Sequence, residues 1–287
     1  VVKLVKEDVK TKEVLDWKGL HVFHFPFSSC SQKTRIFLNL KGLKWKSHLV
    51  DLMANENVQP YYMGINPRGL VPTLVDDGDV HIESNDILTH LEQKYEEPVL
   101  IPQDKAALAA ELLKLENDLH LDLRALTFRF VFNLPESPKG AAELDAYAQE
   151  GSGTVGGKKD SQVDVEINFW KTFASEGVTD EVATRAATNF KRVFSDIDER
   201  LAKTPYLLGD SLSAVDIAWF IYTNRLEHAA YPFDRLHPNL WAWYNKLLQR
   251  EEFANEIVLP PPVAEAVAAT RAQHAAEGIS LEQVTGI

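Results

Sequence analysis

The sequence predicts a small mixed α/β domain followed by an all-helical one. Three observations carry this expectation. Residues 20–95 alternate short β-rich runs with helical spacings. A proline-bounded stretch, Glu96 to Pro102, comes next. Beyond it the apolar residues recur at helical intervals.

In chain order, residues 1–20 read as a charged extension ending in a short helix. Leu20 to Phe25 is an apolar, β-rich first strand. Ser28 to Lys41 carries Ile36, Phe37 and Leu40 at helical spacing. Lys46 to Leu52 alternates as a second strand, and Val58 to Met63 reads as a short helix. The turn Asn66-Pro67-Arg68-Gly69 leads into a strand over Leu70 to Val75. Asp76 to Asp79 forms a hairpin turn, Val80 to Ile82 the returning strand, and Asn85 to Tyr95 an amphipathic helix. The order β-α-β-α-β-β-α is the thioredoxin-like arrangement.

The second half begins with a long amphipathic pattern, Ala106 to Phe132. Leu134 to Asp160, with PESPKG and EGSGTVGGKKD, reads as loop. Val165 to Ser175, Asp180 to Lys203, Ser213 to His228 and Asn239 to Gln249 read as helices. Pro260 to Pro262 breaks the chain before an Ala-rich segment, Val263 to Gly278, either a final helix or a loose tail. The expected division is therefore an extension at 1–20, a thioredoxin-like domain at 21–97, a linker at 98–105, a helical domain at 106–258 and a tail at 259–287.

A formal net charge of −12 argues against a nucleic-acid partner, because no cationic excess exists to neutralise phosphates. No apolar run reaches membrane-span length. The first residues are charged throughout and lack the apolar core of a signal peptide. The single cysteine, Cys30, excludes an intrachain disulfide and fits a reducing cytoplasm.

The most informative stretch is Asn66 to Asp86. Pro72 cannot donate to a ladder, so it points to a sheet edge or a special backbone geometry, a cis bond included. The N–H and C=O of Val71 are then free to pair with an extended peptide. Ser84, opening a helix, offers a hydroxyl and unpaired N–H groups to a carboxylate. The same residues would also suit an ordinary hairpin and capped helix. Ser28 and Ser29 lie between the first strand and the first helix. Either could be an N-cap, and either could donate to a thiolate stabilised by the helix dipole.

Ser213-Ala214-Val215-Asp216 fits a capping box, a stability element. Glu116, His120 and Arg124 share a helical face; a surface network is expected there, not a metal site. GSGTVGGKKD departs from a phosphate-binding loop, since the residue after Lys158 is Lys159 and no apolar strand leads in.

The run NPRGLVPTL…ESNDIL resembles the signature with which glutathione transferases hold glutathione. The resemblance implies a cis-proline clamp at Val71-Pro72 on the cysteinyl part. It implies that Glu83 and Ser84, with Arg68, hold the γ-glutamyl end. Phe27-Ser28-Ser29-Cys30-Ser31 is similar to the SSCS motif of zeta-class enzymes, which places Ser28 on the thiol-activating serine. Ser29 stands beside it as a second catalytic candidate. Cys30 either packs inertly or leans toward the thiol site. The resemblance also implies that Leu119 to Asn133 lines a second-substrate pocket, with Phe27, Arg124, Phe128, Phe132 and Trp170 as its walls and Tyr147 as a weaker candidate. SCSQKTR and INFWKTFASEGVTDE look closer to bacterial β-etherases, which cleave β-aryl ethers of lignin-derived aromatics. The resemblance thus implies a glutathione-dependent enzyme acting on an aromatic electrophile, as a homodimer or a heterodimer with a close relative. The alternatives are a general transferase, an isomerase or dehalogenase, and a non-catalytic binding protein.

Overall fold

The computed structural model describes residues 1–134 and 136–287. Its contacts separate two units. The first is Val1–Pro98 with Glu136–Ser175; the second is Val99–Pro135 with Glu176–Ile287.

The first unit is built on a four-stranded sheet in the order β2-β1-β3-β4. Strand β1 spans Leu20–His24 and is followed by helix α1, Ser29–Leu40. Strand β2, Trp45–Leu49, pairs parallel with β1. A short helix α2, Pro60–Met63, precedes β3, Thr73–Asp76, which pairs antiparallel with β1. Strand β4, Asp79–His81, returns beside β3, and helix α3 spans Ser84–Lys94. The hairpin turn is two residues, Asp77 and Gly78, at φ 51° and 88°. Positive φ at both is what a tight turn between twisted strands requires. These elements bear out the thioredoxin-like order. Strand β3 starts at Thr73, not at the expected Leu70. Pro72 has no N–H for the ladder, and the Gly69 and Leu70 carbonyls bond to side chains.

The extension is part of this unit. The Leu4 N–H donates to the Val80 carbonyl at 2.9 Å, and the Ile82 N–H to the Val2 carbonyl at 3.2 Å. Leu4, Val9 and Val14 enter the core with Phe23, Tyr62, Ile65, Val75 and Val80.

The expectation of loop over Leu134 to Asp160 is corrected among the described residues; Pro135 lies outside them. Helix α6 spans Ala141–Gln149, after α4, Ala106–Asp118, and α5, His120–Phe130. Strands β5, Thr154–Val155, and β6, Lys158–Lys159, form a hairpin. By their contacts, Glu136–Ser175 group with the first unit. Leu144 and Tyr147, one turn apart, are buried in α6, and Tyr147 joins a cluster with Val58 and Met63. Asp8 ties down the hairpin. Its carboxylate accepts from Thr154 Oγ1 and the Gly156 N–H, each at 2.7 Å, and from the Gly157 N–H at 3.1 Å. Burial disfavours the Asp8 charge, but these bonds and one from the Val5 N–H outweigh it and hold its pKa below the usual carboxylate value.

Helix α7, Gln162–Glu176, leads to the second unit, with α8 at Asp180–Leu201 and α9 at Ala214–His228. Further helices are α10, Phe233–Leu236; α11, Pro238–Leu247; α12, Glu251–Ala254; α13, Pro261–Glu277; and α14, Leu281–Thr285. The tail is thus helical. Helix α9 is buried nearly all round, as the central helix of a bundle must be. The capping box at its start forms: Asp216 Oδ2 accepts from the Ser213 N–H at 2.9 Å, and Ser213 Oγ accepts from the Asp216 N–H. Asp216 Oδ1 also accepts from the Leu207 N–H at 2.9 Å and Trp243 Nε1 at 3.1 Å. The long amphipathic pattern of Ala106 to Phe132 forms two helices, α4 and α5, that meet at Leu119.

Candidate functional site

The register of the sheet gathers three chain segments at one end. Phe23, near the end of β1, lies opposite Thr73, the first residue of β3. His81, the last residue of β4, lies opposite Leu74. The loop carrying Ser28, the entry Val71-Pro72 and the junction Glu83-Ser84 therefore lie at the same end.

Ser28 is the N-cap of α1, and its Oγ accepts from the Ser31 N–H at 3.2 Å. A hydroxyl that accepts in this way still has its proton to donate. Ser29 is the first residue of α1, and Cys30 is half-buried on its first turn. The loop is held from beneath. Arg35 donates to the Phe25 carbonyl at 3.3 Å and the Pro26 carbonyl at 3.0 Å, and to His24 Nδ1 at 3.1 Å. His24 Nε2 is then the donor to Ser47 Oγ at 2.7 Å. Burial, with Arg35 and His48 adding to it, pushes the His24 pKa down to about 4.

The Val71-Pro72 bond is cis. Val71 stands outside the ladder, and its N–H and C=O have no partner among the described residues. The turn before it is pinned carbonyl by carbonyl. Tyr147 Oη donates to Arg68 O at 2.6 Å, Asn57 Nδ2 to Gly69 O at 2.7 Å, and Tyr62 Oη to Leu70 O at 2.6 Å. Gly69 has φ +59°, and a Cβ there would sit 2.7 Å from Met63 Sδ and 2.9 Å from Tyr147 Cε2. Only glycine fits.

Glu83 precedes α3 at φ 66°, and Ser84 is that helix's first residue. Behind them Lys33 Nζ donates to Asn85 Oδ1 at 2.6 Å. Arg68 links Glu83 to the far segment: Nη1 donates to Glu83 Oε1 at 2.6 Å, and Nε and Nη2 donate to Asp160 at 2.9 and 2.7 Å. Burial disfavours the Arg68 charge, but both carboxylates outweigh it and push the pKa upward.

This end of the sheet can do two things. It offers backbone N–H and C=O groups to an extended peptide, and it offers helix N-termini and hydroxyls to anionic groups.

The other expected residues divide between the units. Phe27 is half-buried, with its ring edge-on to Phe25. Trp170 lies on α7 against Phe169 and Phe173, with Lys139 over its ring. Tyr147 is buried beneath the turn, a support and not a wall. In the second unit Arg124 and Phe128 lie on α5 and Phe132 follows its end. The Phe128 and Phe132 rings are 6.1 Å apart, and Arg225 lies over Phe132. The surface network expected at Glu116 is corrected: Glu116 is buried and His120 Nδ1 is 3.0 Å from Tyr222 Oη. No cluster of His, Cys, Asp or Glu suited to a metal ion occurs among the described residues. No helix of the described residues is long and apolar enough to cross a membrane.

Nothing in the sequence marks Asn57, Tyr62, Arg35 and Asp160 as supports of this end of the sheet. Asn66 belongs to the turn it stabilises and is visible as a turn residue. The others contact the site from elsewhere in the chain and carry no local signal.

Two family models match: the glutathione S-transferase N-terminal domain over residues 22–99 and the C-terminal domain over residues 180–246. A zeta-class glutathione S-transferase of Euphorbia esula is 45% identical over 85 residues, 30% of this chain. That stretch is 38% of the relative's own length, so the chain spans well under half of it. The tetrachloro-p-hydroquinone reductive dehalogenase of Sphingobium chlorophenolicum is 25% identical over 251 residues, covering 83% of this chain and 96% of that one. Among solved structures, the β-etherase LigF of Sphingobium sp. strain SYK-6 superposes with a TM-score of 0.68 at 23% identity, covering 83% of this chain and 98% of that one. At that identity the likeness is one of fold.

Proposed function

Because the chain belongs to the glutathione transferase superfamily, we propose that its first unit binds glutathione and activates it as a thiolate for attack on a hydrophobic aromatic electrophile. The observation that carries this is the gathering of Ser28, Val71 and Glu83-Ser84 at one end of the sheet. Val71 pairs with the cysteinyl backbone as an added strand would. Ser84 and the N–H groups of α3 take the γ-glutamyl carboxylate, and Glu83 takes the ammonium. Ser28 donates to the sulfur, with Ser29 as the second candidate, and the N-terminus of α1 stabilises its charge. Phe27 and Trp170 of this unit suit a flat aromatic acceptor. The proposal extends to a cytoplasmic location and to a dimer with itself or a close relative.

The proposed reaction is β-aryl ether cleavage. The thiolate attacks the carbon next to a ketone, a C–S bond forms, the C–O bond breaks, and phenoxide leaves with the electron pair. A second reading, thiolate attack on a halogenated aromatic, is supported by the near full-length match to the dehalogenase. Incubation with glutathione and a panel of β-aryl ether ketones, haloaromatics and maleyl acids separates them. The expected result is release of the phenol together with a glutathione thioether. If neither product appears while a chloroaromatic is conjugated quickly, the general-transferase reading replaces the etherase one.

A further inference from the structure

We propose that Asp160 is a positioning residue for glutathione: acting through Arg68, it sets Glu83 to receive the ammonium of the γ-glutamyl end. This rests on the assignment of Glu83 given above.

The guanidinium is planar and its five donors point in fixed directions. Asp160 grips one edge of it through two parallel bonds, Nε to Oδ2 and Nη2 to Oδ1. That grip fixes the plane, and with it the direction of Nη1. Glu83 Oε1 sits on that direction at 2.6 Å. Glu83 Oε2 has no partner among the described residues, and the Glu83 side chain is 35% exposed, against 17% for Arg68 and 18% for Asp160. The carboxylate is thus held by one oxygen and presented by the other.

Asp160 is itself fixed. Its N–H donates to the Gly153 carbonyl at 3.0 Å, and its Oδ2 accepts from the Gln162 N–H at 3.3 Å where α7 begins. The same segment holds the backbone of Arg68 through Tyr147. Two elements of residues 136–175 therefore address one arginine, one by its carbonyl and one by its side chain.

Charge points the same way. Two carboxylates and one guanidinium leave one net negative charge facing an incoming ammonium. With Asp160 neutralised the group is net neutral, and Arg68 is free to turn both nitrogens onto Glu83 and withdraw Oε2 from the ligand.

The test is titration calorimetry with glutathione and with its desamino analogue, glutaryl-cysteinyl-glycine. The variants are Asp160→Asn, Asp160→Glu, Arg68→Lys and Glu83→Gln. Asp160→Asn should raise the glutathione Kd about tenfold. It should leave the Kd of the desamino analogue within about twofold and kcat at saturating glutathione unchanged. Arg68→Lys keeps the charge but cannot chelate Asp160 and should show the same selective loss, while Asp160→Glu should recover most of the affinity. A loss equal for both peptides would mean that Asp160 merely supports the fold, and the proposal fails. If Asp160→Asn and Arg68→Lys change nothing while Glu83→Gln still weakens glutathione, the relay is wrong and the reading of Glu83 stands. If Glu83→Gln also changes nothing, both fall.

Discussion

The two units hold their candidate functional residues by different means. In the first, buried polar groups fix a backbone: Tyr62, Asn57 and Tyr147 each take one carbonyl of the turn before Val71, and Asp8 and Asp160 hold the hairpin segment onto it. In the second, the interior around α9 is mainly apolar and aromatic, with two buried carboxylates among the described residues, Glu116 and Asp216, the latter tying the start of α9 to Leu207 and Trp243. A ligand read by its peptide backbone needs N–H and C=O groups at set positions, and only hydrogen bonds set them. A ligand read by shape needs a surface, which packing supplies. Each unit should therefore respond differently to the same perturbation.

Acid is the strongest way to separate them. In the first unit His24 and His81 are buried, and burial pushes both pKa values down to about 4. The unfolded chain protonates them near pH 6.5, the folded unit only near 4, so their contribution is present above pH 6.5 and lost as pH falls toward 4. Each is worth up to roughly 3 kcal/mol at about 1.4 kcal/mol per pH unit. In the second unit His237 behaves alike, but burial raises the Asp216 pKa to about 6 against the hydrogen bonds it accepts. A raised carboxylate pKa stabilises the fold at low pH and ceases to as pH rises through 6. Asp216 offsets part of what His237 and the likewise buried His274, whose pKa burial also lowers, lose. Hydrogen exchange at pH 7.5 and 5.0, corrected for intrinsic rates, should show several kcal/mol of lost protection in β1 and β4 and less in α9. Equal loss in both units would break the comparison.

Replacing Ser28 tests the chemistry that the first unit is proposed to supply. Ser28→Ala should lower kcat/KM about a hundredfold, the usual effect of removing one donor to developing charge, and raise the thiol pKa of bound glutathione. Thiolate absorbance against pH reads this directly. Ser29→Ala should leave it nearly unchanged, because Ser28 and not Ser29 occupies the cap. If Ser29→Ala raises the thiol pKa and Ser28→Ala does not, the ranking reverses.

The same contrast explains which parts are legible in the sequence. Val71-Pro72 and Glu83-Ser84 are visible because their role is local backbone geometry, written in proline, a helix start and a two-residue turn. Helix α6 is not: Leu144 and Tyr147 are its two buried residues, too few to set a period. The hairpin at 154–159 reads as loop because its glycines are punctuation until Asp8, far back in the chain, bonds to them. Arg68 reads as part of a turn, and its partner Asp160 lies 92 residues on. The break at Leu119 carries no glycine or proline to mark it. Long-range polar pairing leaves no periodicity, so the supports of the site stay hidden while the site does not.

A smaller effect than that of Ser28 should come from Ser84. The residue is 9% exposed at the first position of α3, where the helix presents N–H groups that no residue within the helix can satisfy. A carboxylate arriving there gains the hydroxyl and the backbone donors together, so removing the hydroxyl leaves most of the anion site intact. Ser84→Ala should weaken glutathione by about 1–2 kcal/mol, the worth of one hydrogen bond to a charged group. It should do so equally for glutathione and for the desamino analogue, since both keep a carboxylate at that end. That equality is what distinguishes Ser84 from Asp160, whose effect follows the ammonium. Calorimetry with both peptides decides it: unchanged affinity would remove Ser84 from the site, and a loss confined to glutathione would place it on the ammonium instead.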